Sequence, residues 1–561
     1  MTTMSKSRTG AQTLVDQLLV QGADKVFCVP GESYLAVLDA FHDADDIELI
    51  VTRHEAGACN MAEAYGKLTG KPGICFVTRG PGATHASIGV HTAMQDSTPL
   101  ILFIGQVRRD ASEKEAFQEI DYRQMFGSLA KWVTQVEDAG RIPEIVARAF
   151  HTACSGRPGP VVIALPEDML VDEVTVSDAR CIEVTQAWPS PGDLQRLGLM
   201  LKRAEKPLII VGGSTWSGDS MKQLERFAVR MNIPVCTAFR RQDHFNNTHP
   251  MYAGHVGLAI NPKLAERVRE ASLLLVLGDR LSEATSGGYS LIESPNPKQQ
   301  LVHVHPDALE IGKVYQPALG IVSGMSEFMQ ALSGYEELSP RPEWGEWAKN
   351  AHQEYVAHSQ PGEESGPGLD LARVIQILCE TLPEDAIVCN GAGNYTAWLH
   401  RYFTYRRYGT QLAPINGAMG YGVPAAVAAK VIYPNRAVVA VSGDGCFMMS
   451  SQELATARLY NLNPIFIVVN NGIFGTIRMH QEAAYPERVI GTALSNPDFV
   501  MMAQSYGAHA ERVDSTELFR PALIRALSQP AMSVIELMTD PERISPNATI
   551  NSLRGKAKLN S

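Results

Sequence analysis

An aspartate and a pair of asparagines stand at the ends of two strand-like segments, where they could bind a metal ion. Asp444 follows the apolar run VVAVSG, Asn470 and Asn471 follow the run PIFIVV, and residues 446–469 separate Gly445 from Asn470. The carboxyl ends of neighbouring parallel strands share one sheet edge, so Asp444 and Asn471 are expected to converge. Carboxylate and amide oxygens suit Mg²⁺, whose octahedral shell is usually completed by phosphate oxygens and water. The spacing therefore predicts a magnesium site that also holds a phosphorylated ligand.

Glycines beside Asp444 favour the same interpretation. Gly443 and Gly445 flank it and let a phosphate approach the backbone closely, and a helix after Cys446 could direct its N–H groups at that phosphate. A lone aspartate in such a turn more often caps a helix, but the asparagine pair at the next strand end reverses that preference.

The common nucleotide-binding motifs are missing from the sequence. Each Gly-Lys pair is followed by Leu, Pro, Val or Ala rather than Ser or Thr, which excludes a P-loop. GAGNYT and GDGCFM begin as dinucleotide fingerprints but lack the third glycine. A kinase, an NTPase and a nicotinamide oxidoreductase are therefore disfavoured.

Three further residues are ambiguous when they are considered alone. Glu55 ends the strand-like IELIVTRH, where a glutamate is usually a solvated loop or cap residue. Met419 in GAMGYG suits a core position. Gln118 in AFQE is either a solvated helix residue or a residue that faces a pocket.

The elements that position these residues alternate along the whole chain. Apolar strand-like runs such as GICFVT, KPLIIVGG, SLLLVLG and PIFIVVNN are separated by helix-like stretches, which is typical of parallel sheets covered on both faces. QAWPSPGD (186–193) and the Pro-, Gly- and Glu-rich segment 339–368 resemble linkers. The pattern predicts three α/β units of roughly 180 residues, each close to the usual size of a domain.

The GDG and NN motifs at this spacing resemble the diphosphate-binding motif of the thiamine-diphosphate (ThDP) enzymes. TRHEAGACNMAEAYGKLTGKPGICFVTRGPGATH (52–85), AFQEIDY (116–122) and NGAMGYGVPAA (416–426) resemble the acetolactate synthase (acetohydroxyacid synthase large-subunit) branch, so the resemblance spans essentially the whole chain. It implies an α/β fold of the pyruvate oxidase/decarboxylase type, in which three domains each hold a mainly parallel sheet flanked by helices. The expected parts are a pyrimidine-binding domain (1–185), a central domain (190–340), a diphosphate-binding domain (365–550) and a tail (551–561).

The resemblance also implies roles for individual residues. Glu55 is expected to hydrogen-bond N1′ of the cofactor's aminopyrimidine and to relay a proton through it, which is general acid/base chemistry. Gln118 is expected to face cofactor and substrate, Met419 to wedge between the two cofactor rings, and the Gly417 carbonyl to hold the 4′-amino group. The remaining expected cofactor contacts are Asn394, Tyr395, Thr396, Gly443, Gly445, Cys446 and Asn471. The expected magnesium ligands are Asp444, Asn471 and the backbone carbonyl of Ile473.

The implied activity is decarboxylation of a pyruvate-like 2-oxo acid and ligation of the resulting enamine to a second carbonyl. Two positions depart from the acetolactate synthase pattern, because Ala284 stands where an Arg grips the second substrate's carboxylate and His480 where a Trp selects it. A compensating cation could come from Arg240, Arg241 or Arg478. The alternatives are a ThDP lyase or decarboxylase of the benzaldehyde lyase or benzoylformate decarboxylase type, and a non-catalytic subunit with this fold. FAD in the central domain is allowed by the resemblance but only loosely matched.

Composition limits the partners and the location. The chain has 561 residues and a formal net charge of −11, which disfavours nonspecific binding to nucleic acid or anionic membranes. No apolar run approaches the roughly 20 residues that span a bilayer. Nine scattered cysteines without a CxxC pair indicate reduced thiols and a cytoplasmic location. The resemblance implies 2-oxo acid or aldehyde substrates and a homodimer or homotetramer with active sites between chains.

Overall fold

Strands and helices alternate throughout the chain, as the sequence predicts. The computed structural model describes residues 7–335, 338–362 and 368–560. The first third contains these elements in chain order: β1 Arg8–Thr9, α1 Gly10–Val20, β2 Lys25–Cys28, α2 Leu35–His42, β3 Glu48–Val51, α3 Glu55–Thr69, β4 Gly73–Val77, α4 Pro81–Asp96, β5 Leu100–Gln106, α5 Tyr122–Phe126, β6 Trp132–Gln135, α6 Ile142–Cys154, β7 Pro160–Pro166 and β8 Glu173–Val174.

The middle of the chain continues the alternation. Its elements are α7 Pro191–Arg203, β9 Pro207–Val211, α8 Gly218–Met231, β10 Val235–Thr237, β11 Tyr252–His255, α9 Pro262–Glu270, β12 Leu273–Leu277, β13 Gln300–His305, β14 Leu319–Val322, α10 Met325–Ser333 and α11 Pro342–His358.

The last third completes the set of elements. Its elements are α12 Leu371–Thr381, β15 Ile387–Asn390, α13 Tyr395–Tyr402, β16 Gln411–Leu412, α14 Gly422–Ile432, β17 Val438–Gly443, α15 Asp444–Met448, α16 Leu454–Leu459, β18 Ile465–Asn470, α17 Gly475–Ala484, α18 Phe499–Ser505, β19 His509–Val513, α19 Thr516–Leu527, β20 Ser533–Met538, β21 Arg543–Ser545, β22 Ala548–Thr549 and α20 Ile550–Asn560.

Three six-stranded sheets, each parallel throughout, form the framework. Their strand orders are β3-β2-β4-β5-β7-β6, β11-β10-β9-β12-β13-β14 and β16-β15-β17-β18-β20-β19. The central strands β5, β12 and β18 are buried along their whole length, because helices cover both faces of each sheet. This arrangement confirms the predicted fold class of three helix-flanked parallel sheets.

Local sequence sets the ends of helix α3, which carries Glu55. His54 is its N-cap, and the ring nitrogen Nδ1 of His54 accepts a hydrogen bond from the Ala56 N–H at 3.1 Å. The helix ends at Gly70, whose φ of 72° is a left-handed conformation that glycine adopts without strain. Glu55 is therefore the first residue of a helix, directly after a strand of the first sheet.

The predicted linker at 339–368 is wrong over most of its length, because α11 occupies Pro342–His358. Proline suits the first turn of a helix, and Trp344, Ala348 and Ala351 form a buried stripe at helical spacing. Residues 363–367 of that segment lie outside the described residues.

The chain divides into two compact units, which we describe separately. The first comprises residues up to Thr185 together with Val427–Tyr433 and Ser450–Tyr460, and it contains the first sheet. The second comprises the remainder, with the second and third sheets. The domain boundaries expected from the sequence stay predictions. Within residues 7–335, 338–362 and 368–560, no helix combines the length and hydrophobicity needed to cross a bilayer.

Candidate active site

A cavity of about 250 Å³ opens in the second unit at the carboxyl edge of the third sheet. The turns that follow β15, β17 and β18 supply most of its wall. Among residues beyond position 390, the lining contains every one that the sequence assigns to cofactor or metal binding except Thr396, namely Asn394, Tyr395, Gly417, Met419, Gly443, Asp444, Gly445, Cys446, Asn471 and Ile473.

Asp444 and Asn471 reach this cavity because their strands are parallel neighbours. β17 pairs with β18 in a register that sets Gly443 opposite Val469, so the two strands end at the same edge of the sheet. Asp444 is almost fully buried, and its Oδ1 accepts the Gly445 N–H at 2.9 Å, while its Oδ2 accepts the Gly472 N–H at 2.8 Å. The Asn471 Oδ1 accepts the Ile473 N–H at 3.1 Å.

The cradle fits a magnesium diphosphate. A Cβ added at Gly445 would lie 2.7 Å from the Phe474 ring, and one at Gly443 would lie 3.1 Å from Tyr395, so the two rings pack too closely on this turn to admit a side chain at Gly445. The Asp444 and Asn471 oxygens line the same cavity as this glycine turn, and oxygen donors of this kind beside backbone N–H groups suit Mg²⁺ and phosphate.

Several residues in this region were not found by sequence reasoning. The Asn496 amide donates to Asp444 Oδ2 at 2.8 Å and to Asn470 Oδ1 at 3.0 Å, so it joins the two strand ends. Thr476 Oγ1 donates to Asn394 Oδ1 at 2.9 Å, and both residues line the cavity. Asn496 lies far along the chain from both partners and belongs to no motif, whereas Thr476 follows the NN pair closely and could have been suspected.

The two asparagines of the NN pair have different environments. Asn470 is buried, and its amide donates to Glu536 Oε1 at 2.8 Å, away from the cavity. Asn471 lines the cavity. Only Asn471 is therefore placed to contact a ligand, in agreement with the residue that the sequence selects.

The segment after β15 also makes local contacts. The Tyr395 hydroxyl donates to the Cys446 Sγ at 3.6 Å, and burial raises the pKa of Tyr395 well above its usual value. The Asn394 amide donates to the Ile544 carbonyl at 2.8 Å. The Thr396 hydroxyl donates to the Gly393 carbonyl at 2.8 Å, so this side chain stabilises the turn instead of lining the cavity.

Glu55 lies in the first unit and interacts with two histidines. Its Oε2 lies 2.9 Å from His85 Nδ1, and the His85 ring stacks on the His54 ring with centroids 4.6 Å apart. Burial and the neighbouring His85 lower the pKa of His54. One ligand atom from each of these three residues lies within 4.8 Å of the others.

Glu453 supports the turn that precedes Glu55 and was not found by sequence reasoning. Its buried carboxylate accepts the Arg53 N–H at 3.2 Å and the Thr456 hydroxyl at 2.6 Å. Burial raises the pKa of Glu453. A Cβ added at Gly57 would lie 2.3 Å from its Oε1, so this glycine permits the close packing.

Gln118 lies beside the same part of the first sheet. Gln118 has a φ of 68°, and a Cβ added at Gly80 would lie 2.7 Å from the Gln118 Cβ. A Cβ added at Gly82, two residues further along, would lie 3.5 Å from Glu55 Oε1. The turn that starts α4 therefore contacts both residues that the sequence assigns to catalysis.

Two buried side chains pack against the glycine turn at the carboxyl edge of the second sheet. At the point between β9 and β12 where the strand order reverses, the Trp216 indole donates to the Gly212 carbonyl at 2.8 Å. The His244 Nε2 lies 3.2 Å from the Gly213 carbonyl. Trp216 and His244 thus lie at the point in the strand order where such sheets usually bind a nucleotide. FAD in the central domain stays a prediction from the sequence resemblance.

Comparison with known proteins gives the same class that the sheets and the cavity indicate. Three family models match the chain: the N-terminal TPP binding domain of thiamine pyrophosphate enzymes at residues 8–125, their central domain at 194–332, and their C-terminal TPP binding domain at 391–537. The protein is therefore a thiamine-diphosphate-dependent carboligase or decarboxylase.

Curated relatives identify the family of thiamine pyrophosphate enzymes to which the chain belongs. The acetolactate synthase large subunit of Corynebacterium glutamicum is 31% identical over 535 residues, which cover 92% of this chain and 84% of the relative. The isozyme 2 large subunit of Escherichia coli K12 is 29% identical over 534 residues, 95% of each chain. The large subunit of Lactococcus lactis is 29% identical over 550 residues, 97% of this chain and 95% of the relative. The chain belongs to the acetolactate synthase large-subunit family of thiamine pyrophosphate enzymes.

Proposed function

We propose that this protein decarboxylates a pyruvate-like 2-oxo acid and ligates the remaining acyl fragment to a second carbonyl compound. The observation that carries the proposal is the cavity where Asp444 and Asn471 meet beside a glycine turn. Near-complete coverage by acetolactate synthase large subunits supports the same chemistry.

Different residues of the cavity would hold different parts of the cofactor. Asp444, Asn471 and the Ile473 carbonyl would bind Mg²⁺. The backbone at Gly443, Gly445 and Cys446, with Asn394 and Tyr395, would hold the diphosphate, and the Gly417 carbonyl and Met419 would hold the rings. When bound, thiamine diphosphate supplies the nucleophilic carbon and the electron sink that decarboxylation requires.

Glu55 and Gln118 would serve the reaction itself. Glu55 would hydrogen-bond the pyrimidine nitrogen of the bound cofactor and would act there as the general acid/base. Gln118, which packs closely on the turn at Gly80, would face the substrate. The relay needs a carboxylate that is sheltered from water, and the Glu55 side chain is only 13% exposed.

A complete site would require two chains, in a homodimer or homotetramer. The proposal follows from the resemblance to ThDP enzymes, in which the pyrimidine and the diphosphate bind to different subunits. No disulfide joins any of the nine cysteines, all of which lie in the described residues, and most of them are buried, which supports a cytoplasmic location.

The second substrate is the least determined part of the proposal. Ala284 cannot grip a carboxylate, His480 is exposed, and Arg478 Nε already donates to Glu482 Oε1 at 2.8 Å. An aldehyde acceptor, or a lyase reaction of the benzaldehyde lyase type, is therefore the second candidate.

Substrate profiling tests the proposal. We expect a panel of 2-oxo acids, supplied singly and in pairs with Mg²⁺ and ThDP, to yield CO₂ and a ligated hydroxyketone by mass spectrometry. Release of CO₂ with only aldehyde products would favour the lyase or decarboxylase alternative, and no turnover would contradict both. Glu55→Gln is the matched variant, and it should retain cofactor while turnover falls by a large factor.

A further inference from the structure

The carboxylate of Glu55 is held on one side by His85. The His85 Nδ1 lies 2.9 Å from Glu55 Oε2, a distance at which the Nδ1–H tautomer of the ring would donate to the carboxylate oxygen. The other oxygen, Oε1, faces the backbone of Gly82, where an added Cβ would lie at the ordinary contact distance of 3.5 Å. The two oxygens of this catalytic side chain thus have different neighbours.

The orientation of the His85 ring is fixed by a second ring. His85 stacks on His54 with an interplanar angle of 29°. His54 is itself fixed, because its Nδ1 accepts the Ala56 N–H as the N-cap of α3. The lowered pKa of His54 keeps this ring neutral near pH 7, so the stack does not place two imidazolium charges together.

We propose that His85 is a positioning residue for the Glu55 carboxylate. Its Nδ1–H holds Oε2, which fixes the carboxylate plane and leaves Oε1 as the oxygen that exchanges a proton with the pyrimidine nitrogen. The inference rests on the proposed function, since it assigns the orientation of the acid/base group that the function requires. His85 itself touches neither substrate nor cofactor in this role.

Two substitutions of His85 with side chains of equal length distinguish the effect of the hydrogen bond from the effect of the ring's size. In His85→Asn, the amide Nδ2 stands the same number of bonds from Cα as the histidine Nδ1 and can donate in its place. In His85→Leu, a methyl group occupies that position and cannot donate. Both variants lose the stack on His54, so any difference between them reports the hydrogen bond alone.

The test measures a partial reaction that needs no knowledge of the substrate. In the Mg²⁺–ThDP holoenzyme, exchange of the cofactor's C2 proton with deuterated solvent is followed by rapid quench and NMR. We expect His85→Leu to slow this exchange by about tenfold, the usual effect of losing a hydrogen bond to a charged group. His85→Asn should stay within about threefold of the parent protein, and the melting temperatures of the two apoproteins should agree.

A measurement on the apoprotein provides a readout that is independent of activity. With ¹⁵N-labelled histidine, the His85 ring should carry its proton on Nδ1 in the parent protein. In Glu55→Ala it should return to the Nε2–H form, and His85→Asn assigns the resonance.

The outcomes distinguish this proposal from the proposed function. Equal exchange rates in His85→Leu and His85→Asn, with a strongly slowed Glu55→Gln, would overturn the role of His85 and leave the relay intact. Normal exchange in Glu55→Gln would overturn the relay itself, and His85 with it. An Nε2–H tautomer of His85 in the parent apoprotein would also refute the positioning contact.

Discussion

The C-terminal helix α20 is attached to α17 through one buried carboxylate, and we predict that Arg554→Leu loosens this attachment. Glu482 on α17 is fully buried and accepts from Arg554 Nε at 2.8 Å and Nη2 at 2.7 Å. Glu482 also accepts hydrogen bonds from Arg478 Nε at 2.8 Å and from the Glu487 N–H at 3.0 Å. Arg554→Leu removes two of these four bonds and leaves the other two.

The structure sets the size of the effect. Hydrogen bonds from Arg554 are the largest cause that lowers the pKa of Glu482 from 4.5 to about 2. The full shift corresponds to about 3 kcal/mol. Arg478 remains in the variant and water reaches the partly exposed Arg554 position, so we expect a loss of about 2 kcal/mol. At 1.4 kcal/mol per factor of ten, local opening should become roughly 30-fold more frequent.

Hydrogen exchange measured by mass spectrometry is the suitable assay, because it reports local opening in a protein of several domains. Peptides from 475–484 and 550–560 should exchange faster in Arg554→Leu at pH 7, while peptides from the first sheet stay unchanged. Lys558→Met is the matched control on the same helix. The ion pair between Lys558 and Glu487 is well exposed, so the loss of this pair should change the local hydrogen exchange little.

The pH dependence gives a second check. Because the pKa of Glu482 is lowered in the folded protein, its contribution is fully present above pH 4.5 and is lost as the pH falls through about 2. The difference between the parent protein and Arg554→Leu should therefore shrink as the pH falls below 4.5. Equal exchange in Arg554→Leu and Lys558→Met at pH 7, or a difference that grows on acidification, would refute the reasoning.

Two further predictions concern the candidate site. Asp444→Ala should leave the fold intact but weaken retention of Mg²⁺ and ThDP at least tenfold, measured by thiamine fluorescence after gel filtration, and unchanged retention would remove Asp444 from the metal site. Gly57→Ala should destabilise the start of α3 by roughly 1–3 kcal/mol, because the new Cβ would lie 2.3 Å from Glu453 Oε1. Unchanged hydrogen exchange in 53–69 would contradict this.

Local sequence patterns predicted the elements whose signal is contained in a short window. The buried runs became β4, β9, β12 and β18, and the GDG and NN turns placed Asp444 and Asn471 in one cavity. These predictions succeed because a strand buried on both faces and a glycine turn at its end are visible without knowledge of distant residues.

Other features depend on partners far along the chain and left no local signal. Glu453 supports the turn before Glu55, and Asn496 joins Asp444 to Asn470. Helix α11 was mistaken for a linker because the Pro- and Glu-rich composition around it concealed the buried stripe of Trp344, Ala348 and Ala351. His85 belongs to no local pattern either, because its contact with Glu55 joins residues thirty positions apart.

The network around Asn496 would orient Asp444 for the proposed cation. Asn496 bridges the carboxylate of Asp444 and the carbonyl oxygen of the Asn470 side chain, and Asn470 is in turn held by the buried Glu536. Each oxygen of Asp444 is thus oriented by a donor before any ligand arrives. A side chain that is already oriented loses little conformational entropy when it binds a metal ion, because the side chain was ordered when the protein folded.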